Sequence, residues 1–433
     1  MADALRIFSE VYERERAALP GAQGWLGELR AKAVASLRES GLPHRRLETW
    51  RYTDLRRALD QSGFAEAPAH RGAVLKDAAA HAFDGIDAYT MVFVNGHFRP
   101  ELSALAGLPL GMEVFSLKDV WDVHWVRAAV ETSQQRLNAE SAVSLNLALA
   151  HDGAAIRIGR NWNAQKALHL LHLSSDKGAS HLRNVIMLEE GAEAAIFETH
   201  ASAGVDDYFS NLVTHIDVGP NAKLTHVVFQ GASRKSVLVS SSDIRLGRDA
   251  RYAGNSLSVG AGLAREQSFV SFADKGGEAD INVAAALRGT QHGDRYCFVD
   301  HEVPGCRSSV FFRAVLDGDA EGVFQGHALV RENAQKTDAR QLANALLLSR
   351  GASMNAKPEL EIYADDVQCA HGATIGELSE QSIFYLRSRG IDERTARGLL
   401  VTAFLDEVLE RIPHEKARDS LKQIAQRWFG EAA

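Results

Sequence analysis

The rhythm of apolar and polar positions changes along the chain. Between Asp3 and Ser40 the apolar positions Trp25, Leu26, Leu29, Ala33, Val34 and Leu37 recur at helical spacing, and Gly41 stops the second helix that they predict. Tyr89–Phe98, YTMVFVNGHF, is β-branched and aromatic with an Asn-Gly pair inside it, which predicts a hairpin. Leu117 to His151 returns to a mixed helical pattern rich in Ala, Gln and Leu. From Gly153 to about Tyr363, short alternating segments follow one another almost without a helical signal. KALHLLHLS, RNVIMLEEG, AEAAIFETH, NLVTHIDVG, KLTHVVFQG and SVLVSSSDIRLG each read as a strand.

These strands repeat. Gly191, Gly219, Gly247 and Gly276 stand at turn positions separated by 28, 28 and 29 residues. A period that holds two strands and two turns is what a chain needs to complete one rung of a coil and return to the same face, so the expected fold is mostly β with a β-helix core. A two-sheet sandwich ranks below it, because sandwich strands lack a superperiod. After His371 the rhythm is helical again. Ser379 caps a helix through IFYLRSR to Gly390, and Asp392 caps a second that Pro413 ends. On that second helix Ala396, Leu399, Leu400, Ala403, Phe404 and Val408 form a stripe, and Ala417, Leu421, Ile424, Ala425 and Trp428 form another on a third. The chain thus divides into a helical and mixed region (1–150), a β-helix core (151–375) and a C-terminal helical domain (376–433).

Composition narrows the class. At 433 residues, 45% hydrophobic and 24% charged, the chain has the proportions of a globular protein with a large core. The formal net charge of −8, with no basic cluster, argues against a nucleic-acid surface. Three cysteines (Cys297, Cys306 and Cys369) make no disulfide framework. The N-terminus mixes Asp, Glu and Arg where a signal peptide needs an apolar run, and apolar runs such as Leu399–Leu405 are far short of the ~20 residues that cross a bilayer. The expected location is the cytoplasm, with no membrane span.

Familiar catalytic spacings are missing. The sequence has no P-loop, H-E-x-x-H, C-x-x-C or G-x-S-x-G, so no nucleotide is expected on this chain. Gly260 and Gly262 give G-x-G, but Arg265 stands where a third glycine would be. His169 and His172 point to opposite sides of a strand, and Cys297 and His301 lie ~13 Å apart along one. His200, His215 and His226 read as polar residues on the outer face of the coil. Cys297 and Cys306 read as buried, inert thiols. Cys369 and His371 differ, because C-A-H on an extended segment sets a thiol and an imidazole on one face with Cα atoms ~6.6 Å apart. An imidazolium there would favour the thiolate. Two donors are still too few for a tetrahedral centre, so a partner has to bring the rest.

Lys357–Gly390, KPELEIYADDVQCAHGATIGELSEQSIFYLRSRG, closely resembles the SufB/SufD family of iron–sulfur cluster assembly scaffolds. QKTDARQLANALLLS (335–349), GLPHRRLETWRYTDL (41–55) and VFVNGHF (92–98) resemble it too, so the likeness spans effectively the whole chain. The resemblance implies a right-handed parallel β-helix and a non-enzymatic scaffold subunit. In that family the β-helices pair as a heterodimer, and each partner docks one copy of the ATPase SufC on its C-terminal helices. Here that docking region would run from about Gly376 to Phe429, with Leu378, Ile383, Phe384, Tyr385, Leu399, Leu400 and Phe404 as candidate contacts. SufB-like chains carry a cysteine upstream of C-A-H-G-A-T (369–374). Arg350–Ser353 has none, which places this chain opposite SufB in the pair. The residues that carry over are His371 first and Cys369 second, as donors to a transient iron–sulfur cluster shared with SufB. A reduced flavin goes with the assembly in that family, without an assignment to this chain, and a homodimer is the alternative when SufB is scarce.

Two readings compete. A stand-alone β-helix enzyme acting on carbohydrate would need a line of acidic and basic residues along an outer face. A purely structural subunit would leave all chemistry to SufB.

Overall fold

Each pass of the repeat lays a strand in register on the strand one rung earlier, so inward and outward positions stay inward and outward along the whole coil. The computed structural model describes residues 4–62, 82–204 and 207–430; Asp3, at the start of the first expected helix, lies outside them. Strands are numbered in chain order. One sheet holds β1 (Ala88–Val94), β2 (His97–Phe98), β5 (Ala167–Ser174), β7 (Glu193–Ser202), β9 (Lys223–Gly231), β11 (Arg251–Ser258), β13 (Glu278–Leu287), β15 (Arg307–Leu316), β17 (Asp338–Leu347) and β19 (Gln368–Gly376). The other holds β3 (Met112–Ser116), β4 (Ala154–Ile158), β6 (Ala179–Leu188), β8 (Phe209–Val218), β10 (Val237–Leu246), β12 (Leu263–Phe272), β14 (His292–His301), β16 (Glu321–Val330) and β18 (Ser353–Ile362).

From β4 and β5 onward every pairing within a sheet is parallel and skips one strand in sequence, the topology of a two-sided β-solenoid. The rung length is 28 residues at His172↔His200 and 30 at Ala339↔Cys369, close to the glycine period. The period glycines do two jobs. Gly191 and Gly276 take left-handed φ values of 69° and 76°. A Cβ on Gly219 would sit 2.7 Å from the Leu188 carbonyl oxygen of the previous rung. The predicted hairpin is present: β1 turns at Asn95-Gly96 into β2, antiparallel, and β1 also pairs in parallel with β5 as the first strand of its sheet.

Helices cover both outer faces, as a solenoid with two hydrophobic sheet faces requires. Over the β6–β8–β10 sheet lie α1 (Ala4–Glu15), α2 (Trp25–Ser40), α3 (Leu55–Ser62), α4 (His124–Arg136) and α5 (Ser141–Leu149). Every residue of α5 is buried, and Asn146 ties it to the coil by donating to the Leu182 and Asn211 carbonyls at 2.7 and 3.0 Å. Buried Arg30 on α2 donates to the Leu147 and Ala150 carbonyls at 2.7 and 2.8 Å, capping the end of α5. Over the other sheet lie α6 (Glu380–Ser388), α7 (Glu393–Leu409) and α8 (Glu415–Gly430). Ser379 and Asp392 cap α6 and α7 by accepting from the Ser382 and Thr395 amides.

Two expectations need correction. His200 and His226 are not on the outer face: they point into the lumen and are 4% and 3% exposed. Alternation fixed their side, but only the register against Ile196 and Leu224 shows which side is inward. His215 does face outward, yet it is buried beneath the N-terminal helices, 3.0 Å from Asp243, which pairs with Arg136 of α4. On α7 the inward stripe is Ala396, Val401, Leu405, Val408 and Leu409, rotated from the expected one so that Leu399 is exposed.

Buried imidazoles give the fold a pH dependence. Burial pushes His172 and His181 down to about 3 and His301 down to about 4. The unfolded chain takes up protons on these side chains near pH 6.5, and the fold refuses them until far lower pH. Their contribution is therefore complete above about 6.5 and is lost on acidification, each imidazole costing up to about 1.4 kcal/mol per pH unit. Unfolding by urea, followed from neutral pH to about 5, is expected to show this slope and to show it reduced in His172→Phe and His181→Phe. An equal slope in the variants would assign the acid sensitivity elsewhere.

Candidate functional site: the open last rung and the helical tail

The two ends of the coil differ. At its start, short antiparallel strands close the sheets, β2 against β1 and β3 against β4. At its finish, β18 and β19 are full-length strands that pair backward with β16 and β17 and end the sheet order, so each presents a free edge. Most of their residues are exposed or half-buried. Around them Leu342, Ile362, Tyr363 and Ile375 are 41, 41, 60 and 48% exposed, large apolar side chains spread over the final strands β17–β19 and the turn after β18. Free edges beside exposed apolar groups form a surface suited to another chain.

Cys369 and His371 stand on β19 within this surface. Cys369 pairs in register with Ala339 and His371 with Gln341, whose alternation puts both side chains on the lumen-facing side of the last rung. His371 is exposed. Cys369 is half-buried, packed against Val330, Ala334, Ala364 and Val367. Burial raises the Cys369 pKa, with the nearby Asp338 charge adding to it and a hydrogen bond from the Ala339 amide opposing. The expected thiolate is therefore not favoured in the chain by itself, since desolvation outweighs the neighbouring polar groups. Cys297 and Cys306 are buried as expected, and burial pushes Cys297 up to about 12. Among the described residues no group of three or more His, Cys, Asp or Glu side chains meets where a metal ion could be held.

The tail candidates sort by exposure. Phe384, Tyr385 and Leu399 are 74, 57 and 49% exposed. Leu400 and Phe404 are half-buried against the tail's own core, while Leu378 and Ile383 are inside it, where they position α6 instead of presenting a surface. Leu399 also lines an open groove of about 690 Å³ between α7 and α8, with Gly398, Thr402 and Phe429. Arginines that spacing rules did not single out lock the tail to the coil. Arg313 of β15 donates to the Phe404 carbonyl at 3.2 Å, lies 4.3 Å from the Phe404 ring and pairs with Glu407. Arg288, just after β13, donates to the Trp428 carbonyl and sits 4.1 Å over its ring, and Arg411 sits 4.1 Å over Phe311.

Residues 4–170 match the model of the SufBD protein N-terminal region, and residues 171–404 match that of the SUF system FeS cluster assembly SufBD core domain. The chain belongs to the SufBD family. An iron–sulfur cluster assembly SufBD family protein of Synechocystis is 33% identical over 409 residues, covering 91% of this chain and 88% of the relative. The iron–sulfur cluster assembly protein SufD of Escherichia coli is 31% identical over 406 residues, covering 92% of each. Protein ABCI7, chloroplastic, of Arabidopsis thaliana is 30% identical over 289 residues, 64% of this chain and 61% of the relative. The SufBD core match ends inside α7, so the α8 side of the groove between α7 and α8 lies beyond it. Among the described residues no helix is long and apolar enough to cross a membrane.

The burial of the three thiols makes a direct test of the site geometry. Iodoacetamide near neutral pH is expected to alkylate one thiol per folded chain, at Cys369, more slowly than free cysteine. Cys369→Ser should abolish the reaction. Modification of all three, or a rate above that of free cysteine, would contradict the burial and the raised pKa.

Proposed function

We propose that this chain is a non-catalytic scaffold subunit of a SufB–SufC–SufD-type complex. Its open last rung would pair with a SufB-like subunit, and its C-terminal helices would dock a SufC-type ATPase. The reading is carried by the free β18 and β19 edges, which present His371 at a surface that the coil leaves unfinished. The iron–sulfur cluster is cargo here. His371 would be the first donor from this side and Cys369 the second, with the remaining donors coming from the partner, since tetrahedral iron takes four. Cys369 would give up its proton on binding iron, because a coordinated thiol is deprotonated. Membership of the family and the E. coli relative's description support the assembly role.

The tail would transmit nucleotide-driven movement. Arg313 and Arg288 anchor α7 and α8 to β15 and to the end of β13, so a pull on the helices bears on the coil directly and not through a loose linker. Helices cover the outer faces of both sheets, which weighs against a carbohydrate-active enzyme working along the coil.

Co-expression with candidate partners and purification through a tag on this chain should recover a SufB-like subunit and an ATPase. His371→Ala should leave that recovery intact and lower cluster formation in the reconstituted complex by about tenfold or more, since even a metal ligand's supporting partner costs 10–100-fold. Undiminished assembly in both His371→Ala and Cys369→Ala would make this chain a purely structural subunit. Separately, Phe384→Asp and Leu399→Asp should lose the ATPase while changing chain stability by no more than about 0.5 kcal/mol, as exposed positions do. Ile383→Asp, in contrast, should loosen the tail itself.

A further inference from the structure

The lumen is not uniformly apolar. Of the side chains that point inward along β5–β14, the formally charged ones are Glu198, Glu266 and Arg295, and His172, His200, His226 and Tyr252 join them. Arg295 lies 3.8 Å from Glu266 and donates to Ser268 at 3.0 Å. That leaves Glu198, 3% exposed, without a guanidinium or ammonium partner. Its two oxygens instead approach imidazoles on both sides, Oε1 at 3.1 Å from His226 Nε2 and Oε2 at 3.6 Å from His200 Nε2. The far nitrogen of His226, Nδ1, is 3.0 Å from the Tyr252 hydroxyl. His172 stacks on His200, ring centroids 5.1 Å apart and planes 8° from parallel.

Two buried carboxylates against one guanidinium leave a net charge of −1 inside the coil, and an uncompensated buried charge costs several kcal/mol. We propose that the lumen binds one proton, shared by the two imidazoles that flank Glu198, and that this buried imidazolium–carboxylate pair ties β7 to β9. The close contacts are poorly aligned as ordinary hydrogen bonds: Glu198 Oε1, His226 Nε2 and both ring nitrogens of His200 lack an aligned partner. Ionic attraction tolerates that alignment better than a neutral hydrogen bond does. Burial by itself would raise the Glu198 pKa, but the two imidazoles outweigh it and hold the carboxyl well below its usual range. Burial and the charge at His200 hold His172 neutral, which confines the proton to His200 and His226. A metal ion is the weaker occupant, because these side chains do not meet around a point that could hold one. A void of about 10 Å³ beside His172 and His200 and a cavity of about 50 Å³ under α1, lined by His97 and His151, share Gly96 and Ser180.

Nitrogen NMR of histidine-labelled protein tests this. One imidazole with both ring nitrogens protonated is expected to persist at about pH 8, above the ordinary imidazole range near 6.5. Glu198→Gln, which keeps the shape and removes the charge, should abolish that signal. Tyr252→Phe, which leaves the ion pair, should retain it and also covers the case in which Glu198→Gln does not fold. A protein whose imidazoles are all neutral at that pH overturns the proposal, as does an imidazolium that survives Glu198→Gln. Stoichiometric metal in the purified chain that is lost in Glu198→Gln would also overturn it, by making the site a metal site.

Discussion

Rung-on-rung register is the constraint to which the other features answer. Each strand satisfies its backbone only through the rung before and the rung after, so the ladder is self-completing everywhere except at its ends. At the start, the short strands β2 and β3 run antiparallel and stop the ladder. At the finish, β18 and β19 stop it with nothing. A buried β-sheet edge without partners would be costly, and an exposed one is a template for pairing, so the last rung is where the proposed partner would complete the ladder. His371 sits where that completion would occur.

The same register exposes two continuous outer faces, and the chain covers them with different parts of itself. Helices drawn from the first 150 residues cover one face, and the last 50 or so cover the other. The two coverings are held differently. Asn146 and Arg30 sew α5 into the N-terminal layer through buried backbone carbonyls, a contact made to stay. The tail is held by a shared apolar core with the coil and by Arg313 and Arg288, which lie on aromatic rings of the tail and donate to its carbonyls.

Much of this was legible in the residues. Gly191 and Gly276 mark turns that need left-handed backbone, and the strands between them alternate, so both the coil and its period could be read directly. Ser379 and Asp392 announced α6 and α7 because a capping side chain is a local event. The errors came where a tertiary partner decides. Alternation says that His200 and His226 share a side with Ile196 and Leu224, but each segment by itself looks equally like a coil's inside or outside. The stripe on α7 was misplaced for a related reason: Leu399, Leu400 and Phe404 are as apolar as Val401 and Leu405, and only packing on β13 and β15 selects the inward set. Cys369 was read as activated because C-A-H sets an imidazole beside it. The residues that bury it, Ala334 of the preceding rung and Ala364 of the turn before β19, are brought to it by the fold.

The lumen chemistry and the last-rung chemistry lie several rungs apart. Between them the coil is filled by Val310, Phe312, Ala314, Phe324 and Ala343, with the Phe312 and Phe324 rings 5.1 Å apart. Close-packed apolar rungs pass neither ions nor water readily. Glu198 and its imidazoles, on β7 and β9, act on the coil around them, several rungs from His371 on β19. A lumen filled with Leu and Ile throughout would be simpler to fold and at least as stable, since well-packed apolar residues commonly match or exceed a buried ion pair. An ion pair placed in the early rungs instead makes β7 and β9 dependent on a particular protonation state.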